Sequence, residues 1–269
     1  ENIGGNWTQI GQDIDGEYTY EQFGYSLSIN GTGNIVSIGS PYDAGNGKVK
    51  VFENIGNNWI QIGQDIDGEA NQDYCGYYNC LSISNNGNRV AVGSPLNDGN
   101  GNNSGHVRIF DYDGLSWYQI GQDIDGEGPD EQFGKVSFNA DGNILAISST
   151  QNSNMRGRVY IYKYISGNWV QIGQNIDGEE DYSISGYSLS LNSNGDVISI
   201  GAFQNNGNGA SSGHVRVYSL NPCADLGCLD PLALNFDPYA TIDDSSCVYP
   251  VYGCIDSLAS NYNQLVNIS

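Results

Sequence analysis

Short stretches of alternating apolar and polar residues recur along the first 220 residues. In residues 25–30, YSLSIN, Leu27 and Ile29 fall on one face and serines on the other, which is the period of a half-buried strand. Residues 34–39, NIVSIG, are almost wholly apolar, as in a strand buried on both faces. Residues 48–53 and 59–66 complete a set of four strands, separated by Asn- and Gly-rich turns. No segment has a helical period, so the chain is predicted to be all-β.

This four-strand unit is repeated. The nonapeptide QIGQDIDGE starts at residues 9, 61 and 119 and returns as QIGQNIDGE at 171, so successive copies are 52, 58 and 52 residues apart. Each copy follows one of the four tryptophans of the chain, Trp7, Trp59, Trp117 and Trp169. Four-stranded units at a period near 50 residues are typical of the blades of a β-propeller.

The ends of the repeat region indicate how such a propeller would close. The fourth unit has three strands before residue 221, whereas residues 1–14 have the sequence of a fourth strand. We therefore predict a four-bladed β-propeller over residues 1–221, closed by pairing of residues 7–14 with 214–220, which leaves no open sheet edge at the seam. The alternative is that the chain is cut from a longer propeller.

Residues 23–41, FGYSLSINGTGNIVSIGSP, resemble an FG-GAP repeat, the blade unit of integrin-α-type propellers. Residues 133–149 and 185–203 match in part, and the Phe-Gly pair is replaced by Cys75-Gly76 and by Ser185-Gly186. The family's D-x-D-x-D-G calcium loop is not present in the corresponding turns, so that calcium site does not carry over. The W-x-Q-I-G-Q-D-I-D-G-E motif is similar to propeller repeats of secreted bacterial surface proteins, and this resemblance implies adhesion or display rather than catalysis.

The repeated acidic motif admits two interpretations. Asp13, Asp15 and Glu17 place hard oxygen ligands two residues apart around Gly16, as in a calcium loop. In the alternative, which we favour, Ile14 fills the gap between blades and Asp-Gly makes a turn, so the motif is scaffolding. The calcium interpretation extends to the equivalent residues of the other copies: Asp65, Asp67, Glu69, Asp123, Asp125, Glu127, Asp177 and Glu179.

Residues 222–269 form a second, Cys- and Asp-rich module. The segment 227–247, GCLDPLALNFDPYATIDDSSC, is followed by an incomplete copy at 253–269. This motif resembles modules near the ends of secreted bacterial proteins, which look like thrombospondin type 3 calcium repeats. The resemblance implies a calcium site at the matching residues, Asp230, Asn235, Asp237, Asp243 and Asp244. The alternative is that these side chains only cap turns.

The six cysteines predict disulfides rather than zinc, because no CxxC pair is present. Cys75 and Cys80 bracket an insertion in the second repeat and are predicted to pair locally. The other four, Cys223, Cys228, Cys247 and Cys254, allow three pairings. We prefer 223–228 with 247–254, and the rival is 228–247 with 223–254. Either arrangement predicts an oxidising, extracellular location.

The net charge of the chain limits the kinds of molecule that it can bind. Nine Lys and Arg stand against 31 Asp and Glu, for a net charge of −22. Such a surface would repel nucleic acid and anionic lipid and would attract cations, calcium above all. No apolar run is long enough to span a bilayer. The sequons at Asn6, Asn30, Asn102 and Asn267 are candidate glycosylation sites, of which Asn30 and Asn102 are expected in exposed turns.

Catalysis finds little support in the sequence. His106 and His214 occupy the same repeat position, so they are interpreted as strand residues, and the abundant acids are repeated turn residues. We predict that the chain is not an enzyme. The expected function is that of a structural or adhesive subunit of an extracellular filament, linked head to tail through a calcium-stabilised connector, residues 222–269. The alternative is a lectin-like propeller that binds glycans through aromatic residues.

Overall fold

The computed structural model describes residues 2–3, 5–220, 226–236, 242–243 and 245–250. The chain divides into two compact units, Glu1–Leu220 and Asn221–Ser269. A short hairpin of β1 (Asn2–Ile3) and β2 (Asn6–Trp7) opens the first unit. The rest of that unit consists of four antiparallel sheets, numbered here in chain order.

Each of the first three sheets contains five strands, and the fourth contains three. The first sheet consists of β3 (Ser26–Ile29), β4 (Ile35–Ser40), β5 (Lys48–Ile55), β6 (Asn58–Gln61) and β7 (Ile66–Asp67). The second consists of β8 (Leu81–Ile83), β9 (Arg89–Ser94), β10 (His106–Tyr112), β11 (Trp117–Gln119) and β12 (Ile124–Asp125). The third consists of β13 (Phe133–Phe138), β14 (Ile144–Ser149), β15 (Arg158–Ile165), β16 (Asn168–Gln171) and β17 (Ile176–Asp177). The fourth consists of β18 (Ser185–Leu191), β19 (Val197–Ala202) and β20 (His214–Ser219).

Consecutive strands pair as meanders, and short helical turns lie in two of the connections, at Asp43–Gly45 and Asn152–Met155. The predicted fourth strand of each repeat is broken in two. In the first sheet, β6 pairs with the end of β5, whereas β7 pairs with its start, Lys48 and Val49. The break falls at Gly63, whose φ is 69°, a conformation that glycine adopts without steric cost.

The hydrophobic core lies between consecutive sheets rather than at one centre. Val49 and Ile66 of the first sheet pack with Val90 and Trp117 of the second in one buried cluster. Equivalent clusters join the second sheet to the third and the third to the fourth. Serine hydroxyls add the same polar link at each junction. The Oγ atoms of Ser28, Ser82 and Ser137 accept the N–H groups of Ile83, Phe138 and Leu191 at 3.1, 2.9 and 3.0 Å.

The predicted pairing of residues 7–14 with 214–220 is wrong. β2 pairs instead with β1, in a register, Asn2 opposite Trp7, that repeats Asn54 opposite Trp59 in the first sheet. Residues 1–7, ENIGGNW, differ from residues 53–59, ENIGNNW, at one position, so the same local hairpin forms, and closing a short loop costs little entropy. Among the residues that the structure describes, β20 pairs with β19 alone, and its Val215 and Val217 are 68% and 66% exposed.

In the second unit, β21 (Leu226–Gly227) and β22 (Ile242–Asp243) form a short parallel pair. Cys228 and Cys247 are joined by a disulfide. The preferred pairing, 223–228 with 247–254, is therefore wrong, because each of its bridges needs a cysteine that the observed bond uses. The observed bond is half of the rival pairing, whose other half, Cys223 with Cys254, lies outside the described residues.

The predicted Cys75–Cys80 disulfide is also not formed. Both cysteines are free and fully buried. The Cys75 sulfur lies 3.8 Å from the carbonyl oxygen of Ile66, whereas the Cys80 sulfur lies 3.4 Å from that of Tyr78. Burial raises the pKa of the two thiols to about 11 and about 12, so both are neutral at physiological pH.

Candidate functional site

The repeated motif joins one sheet to the next. The side-chain amides of Gln12, Gln64 and Gln122 donate to the carbonyl oxygens of Trp59, Trp117 and Trp169 at 2.9, 2.5 and 2.7 Å. Each also accepts the N–H of the same tryptophan, at 3.0, 3.0 and 3.1 Å. We refer to each pair as a Gln–Trp latch. Because the latch uses both amide groups, it leaves no backbone polar group of the tryptophan unpaired. This geometry supports scaffolding as the role of W-x-Q-I-G-Q.

The first acid of each DIDGE segment accepts a hydrogen bond from the glutamine four residues before it. The distances are 2.8 Å for Gln9–Asp13, 2.7 Å for Gln61–Asp65, 2.6 Å for Gln119–Asp123 and 2.7 Å for Gln171–Asn175. An amide oxygen accepts this bond as well as a carboxylate does. The replacement of aspartate by Asn175 in the fourth copy is thereby explained.

Many of the remaining DIDGE carboxylates are neutralised by cations of the third strand in each sheet. Lys50 Nζ lies 2.6 Å from Glu17, Lys48 Nζ lies 3.0 Å from Asp65 and 3.9 Å from Asp67, and the Arg158 guanidinium lies 2.5 Å from Asp177 and 3.1 Å from Glu127. Longer contacts, 3.5 and 3.6 Å, join Arg108 to Glu69 and Arg216 to Glu179. The ion pair with Lys48 helps to lower the pKa of Asp65 against the opposing effect of burial.

The candidate calcium ligands are therefore distributed over separate junctions. Only one junction gathers acids and histidine closely among the described residues: Glu69, His106 and Asp123 bring ligand atoms within 4.8 Å of one another. Asp125, with no basic partner in the ion pairs above, has a pKa raised by burial and by Asp123. Asp15 is exposed. Calcium binding at these loops stays a prediction.

The C-terminal candidates are described in part. Asn235 donates to the carbonyl oxygen of Ser246 at 2.8 Å and accepts the N–H of Val248 at 2.7 Å, and it thus holds the chain on either side of Cys247. Asp230 accepts the N–H of Leu232 and the hydroxyl of Tyr249, both at 2.9 Å. These bonds are the turn-capping contacts of the alternative interpretation. Two of the candidates, Asp237 and Asp244, lie outside the described residues, as does the side chain of Asp243.

The sequons occupy different environments. Asn102 is exposed, in a turn, and its amide donates to Asp130 at 3.2 Å; Asn6 is exposed on β2. Asn30, in contrast, is only 5% exposed, and the expectation that it lies in an exposed turn is wrong. Its Oδ1 accepts hydrogen bonds from the N–H groups of Asn34 and Ile35 at 3.0 and 2.9 Å, so the buried side chain stabilises the turn. Asn267 lies outside the described residues.

The strands that begin each sheet, β3, β8, β13 and β18, surround a central pocket of about 420 Å³. Its lining includes one serine from each sheet, namely Ser26, Ser82, Ser137 and Ser188. Tyr25, Tyr78 and Lys135 also line it. The pocket thus combines small polar side chains with aromatic surface, and it is more polar than most small-molecule sites.

A chain of aromatic rings runs along this region, and we name it the aromatic rim: Tyr25, Tyr42, Tyr74, Tyr77, Tyr78, Tyr187 and Phe203. Neighbouring ring centroids lie 4.5–6.5 Å apart, from 4.5 Å for Tyr187–Phe203 to 6.5 Å for Tyr25–Tyr78, which is the range of favourable aromatic contact. Several members are partly open to solvent, with Tyr78 42% and Phe203 47% exposed.

Lys135 is the one cation of the pocket lining. It is 9% exposed, and its Nζ lies 5.3 Å from the ring centre of Tyr78 and 4.9 Å from that of Tyr187, within the range of cation–π attraction. Nζ also donates to the carbonyl oxygen of Tyr78 at 3.4 Å. No carboxylate in the described part of the chain forms an ion pair with it. Burial lowers the pKa of Lys135 below its usual 10.5.

Sequence reasoning missed this pocket, although the repeats contained a signal. The residue that follows the Phe-Gly position is Tyr25, Tyr77 and Tyr187 in three repeats and Lys135 in the other. A single cation among three aromatic residues at one repeat position marks the place where the third repeat differs in charge from the others. The tyrosines of the β15 strand are different: Tyr160 is 1% exposed within the core, and Tyr162 and Tyr164 pack against it, as packing residues should.

No protein-family model matches the chain, and no curated protein is significantly similar to it in sequence. Solved structures similar to it include β-propeller proteins. TolB from Acinetobacter baumannii is 14% identical with a TM-score of 0.45, over 80% of this chain and 46% of that one. The β-propeller domain of the Trilobed protease from Pyrococcus furiosus is 12% identical with a TM-score of 0.45, over 73% and 54%.

A structure from Bacteroides uniformis ATCC 8492 described as a putative 6-phosphogluconolactonase is 15% identical with a TM-score of 0.49, over 72% of this chain and 49% of that one. A second structure of that description is 16% identical. The prediction that the chain is not an enzyme is contradicted by these two neighbours, which are described as putative 6-phosphogluconolactonases. The chain spans about half the length of these structures, and similarity at this level transfers no activity to it.

No helix within the described ranges has the length and apolar character needed to span a membrane.

Proposed function

We propose that the four sheets are the blades of a propeller of the FG-GAP type, and that this propeller is a carbohydrate-binding module of an extracellular surface protein. The disulfide between Cys228 and Cys247 is compatible with a secreted protein. The single observation that carries the binding proposal is the position of Lys135, buried in the pocket and held between Tyr78 and Tyr187.

The chemistry of this site favours an acidic sugar. Exposed faces of Tyr78 and Tyr25 can stack on the apolar C–H face of a pyranose ring, and the surrounding serine hydroxyls can bond its hydroxyl groups. The Lys135 ammonium, which no carboxylate among the described residues neutralises, is left to pair with a carboxylate or sulfate on the sugar. Desolvation strengthens such a pair relative to one in water. The net charge of −22 opposes the approach of anions, so the local cation is what makes an acidic ligand acceptable.

The test compares an oligosaccharide of uronic acids with its neutral counterpart by titration calorimetry. Lys135→Tyr restores the residue that the other repeats carry and should leave the fold intact. We expect it to weaken binding of the acidic sugar at least tenfold and to leave binding of the neutral sugar within about twofold. Lys163→Gln, which removes an exposed lysine, is the matched control and should change neither. Equal binding of both sugars by wild type, or no binding of either, would reject the proposal.

A second candidate function is that of a structural subunit of an extracellular filament. The observation that favours it is apolar surface at both ends of the row of sheets. Leu27 and Ile29 of the first sheet are 65% and 55% exposed, and Val215 and Val217 of the fourth are 68% and 66% exposed. The three internal junctions indicate what covers such faces, namely another sheet of the same repeat. Contact between copies would be head to tail, with calcium stiffening residues 222–269 as the connector.

Light scattering after size-exclusion chromatography tests this candidate. Protein that assembles should become monomeric when Val215 and Val217 are both changed to lysine, whereas Ser153→Lys, in an exposed turn of the third sheet, should leave assembly intact. Addition of a chelator separates the role of calcium, because an assembly that survives chelation needs no calcium. Wild-type protein that stays monomeric at high concentration would reject the filament and leave the sugar-binding proposal untouched.

A further inference from the structure

The first residue of the third strand is a permanently charged lysine or arginine in the first and third sheets, but it is a histidine in the second sheet. The third strands of the first and third sheets begin at Lys48 and Arg158. Both side chains contact DIDGE carboxylates, Lys48 reaching Asp65 at 3.0 Å and Arg158 reaching Asp177 at 2.5 Å. The third strand of the second sheet begins at His106. The acids around it therefore lack the permanent positive charge that the other two junctions have at this point.

His106 is buried among these acids without a hydrogen-bond partner for one of its nitrogens. Its side chain is 1% exposed, and Nε2 is buried and unpaired among the described residues. Nδ1 lies 3.6 Å from Glu69 Oε2, which is beyond hydrogen-bond range. A neutral imidazole presents a lone pair rather than a charge.

Glu69 and Asp123 supply negative charge beside this imidazole. One oxygen of each and one imidazole nitrogen lie within 4.8 Å of one another. Gln119 donates to Asp123 Oδ1 at 2.6 Å and orients that carboxylate, as outer partners of metal ligands commonly do. The only cation that reaches Glu69 among the described residues is Arg108, at 3.5 Å.

We propose that Glu69, His106 and Asp123 bind a divalent transition-metal ion of the zinc class. One imidazole and two carboxylates are a donor set that zinc accepts in tetrahedral sites, with water as the fourth ligand. Donor atoms around tetrahedral zinc lie roughly 3.4 Å apart, given metal–ligand bonds of about 2.1 Å. The two acids can close that gap, because the Glu69 side chain is 43% exposed and Asp123 is partly exposed. Calcium is disfavoured here, since it takes oxygen ligands only.

The fourth sheet provides an internal comparison. His214 Nδ1 lies 3.7 Å from Glu179, and Arg216 lies 3.6 Å from the same carboxylate. This nearly reproduces the contacts of His106 and Arg108 with Glu69. However, no described residue of the fourth sheet takes the place of Asp123, because that sheet has no strand equivalent to β12. A pair of ligands without the third should bind metal much more weakly.

The experiment uses the full chain, stripped of metal with a chelator and titrated with Zn²⁺ by calorimetry and with Co²⁺ by visible absorption. We expect one saturable equivalent of Zn²⁺ at micromolar or lower dissociation constant, and a tetrahedral Co²⁺ spectrum that Zn²⁺ abolishes. His106→Arg introduces the residue of the third sheet, and Asp123→Asn introduces the residue of the fourth copy of the motif. Each should weaken binding at least tenfold, whereas His214→Arg should leave it within twofold.

Several outcomes would overturn the site. They are an absence of saturable binding by wild type, equal binding by the Asp123→Asn variant, and a thiolate-to-cobalt charge-transfer band, which would place the ion on cysteine. Asp123 is partly exposed, and the fourth copy of the motif carries asparagine at this position, so its variant is expected to fold, and circular dichroism of each variant checks this. In wild type, NMR should also show the imidazole resonances of His106 shifting with Zn²⁺ while those of His214 stay in place. A shift of His214 alone would equally reject the assignment.

Discussion

The side-chain amide of Gln64 forms two hydrogen bonds with the backbone of Trp117. It donates to the carbonyl oxygen at 2.5 Å and accepts the N–H at 3.0 Å. The indole of Trp117 in turn donates to the carbonyl oxygen of Ile62 at 3.0 Å. One glutamine and one tryptophan therefore fasten the outer strand of the second sheet to the first.

Gln64→Ala should lower the free energy of unfolding by about 1–3 kcal/mol, because it leaves two backbone groups of the buried Trp117 without partners. Gln174 occupies the same position in the fourth copy of the motif, is exposed, and bonds no tryptophan. Gln174→Ala should therefore change stability by less than about 0.5 kcal/mol. Urea denaturation of both variants measures the difference. Equal effects would show that the latch contributes nothing to stability.

A comparison of Gly63 with Gly173 distinguishes the cost of backbone strain from the cost of a steric contact with a neighbouring side chain. Their φ angles are nearly equal, 69° and 68°. A Cβ on Gly63 would lie 2.6 Å from Trp117 Cδ1, whereas a Cβ on Gly173 would meet nothing within 4 Å. Alanine at either position should cost about 1 kcal/mol for the left-handed conformation. Gly63→Ala should cost about 1–3 kcal/mol more, because the tryptophan must move. Thermal unfolding of the pair tests this, and similar losses would count against the contact.

The pH dependence of acidic-sugar binding follows from Lys135. Burial lowers the pKa of this ammonium below 10.5, so it loses its proton at a lower pH than an exposed lysine does. Affinity for an acidic sugar should be constant well below that pKa and fall as pH rises through it. The neutral sugar should show no such fall, and neither should the Lys135→Tyr variant below about pH 9, where a phenol is uncharged. Calorimetry across pH 7–10.5 would reveal the transition, and a flat profile for wild type would exclude Lys135 as the anion partner.

The thiols of Cys75 and Cys80 should resist alkylation in the folded protein. Burial raises their pKa to about 11 and about 12, and only the thiolate reacts. Iodoacetamide at pH 8 should modify neither until a denaturant is added without reductant, and should then modify both. Peptide mass mapping reads out each site. Failure of the denatured, unreduced protein to react at these two positions would revive the local disulfide that the structure does not form.

The strands were predictable from the sequence because each repeat carries the period and the turns of its own sheet, independently of distant residues. Asn30 was misjudged because a sequon and a turn-building asparagine look alike in sequence, and only the bonds to Asn34 and Ile35 distinguish them. The N-terminal pairing failed for a similar reason. Residues 7–14 match an outer strand, but residues 1–7 match a whole hairpin turn, and the local partner formed.

The central pocket was beyond sequence reasoning because its lining comes from four strands about 50 residues apart. Tyr78 and Lys135 meet through the packing of β8 against β13, which depends on the serine and latch contacts between sheets. The substitution of lysine at a tyrosine position was visible, but its place in a pocket was not. The histidine at position 106 was likewise read as an ordinary strand residue, since its environment of acids is assembled from two DIDGE segments.

Because of the Gln–Trp latches, the boundaries of one sequence repeat do not coincide with the boundaries of one sheet. A segment from one tryptophan to the residue before the next, such as residues 59–116, holds the outer strand of one sheet and the first three strands of the following sheet. It begins with a tryptophan that the preceding glutamine can fasten and ends where the next tryptophan begins. Tandem duplication of this segment would therefore insert a complete sheet and reuse the existing junction chemistry on both sides. Recombination at tryptophan boundaries could lengthen or shorten such an array by whole sheets without the need for a new interface to evolve.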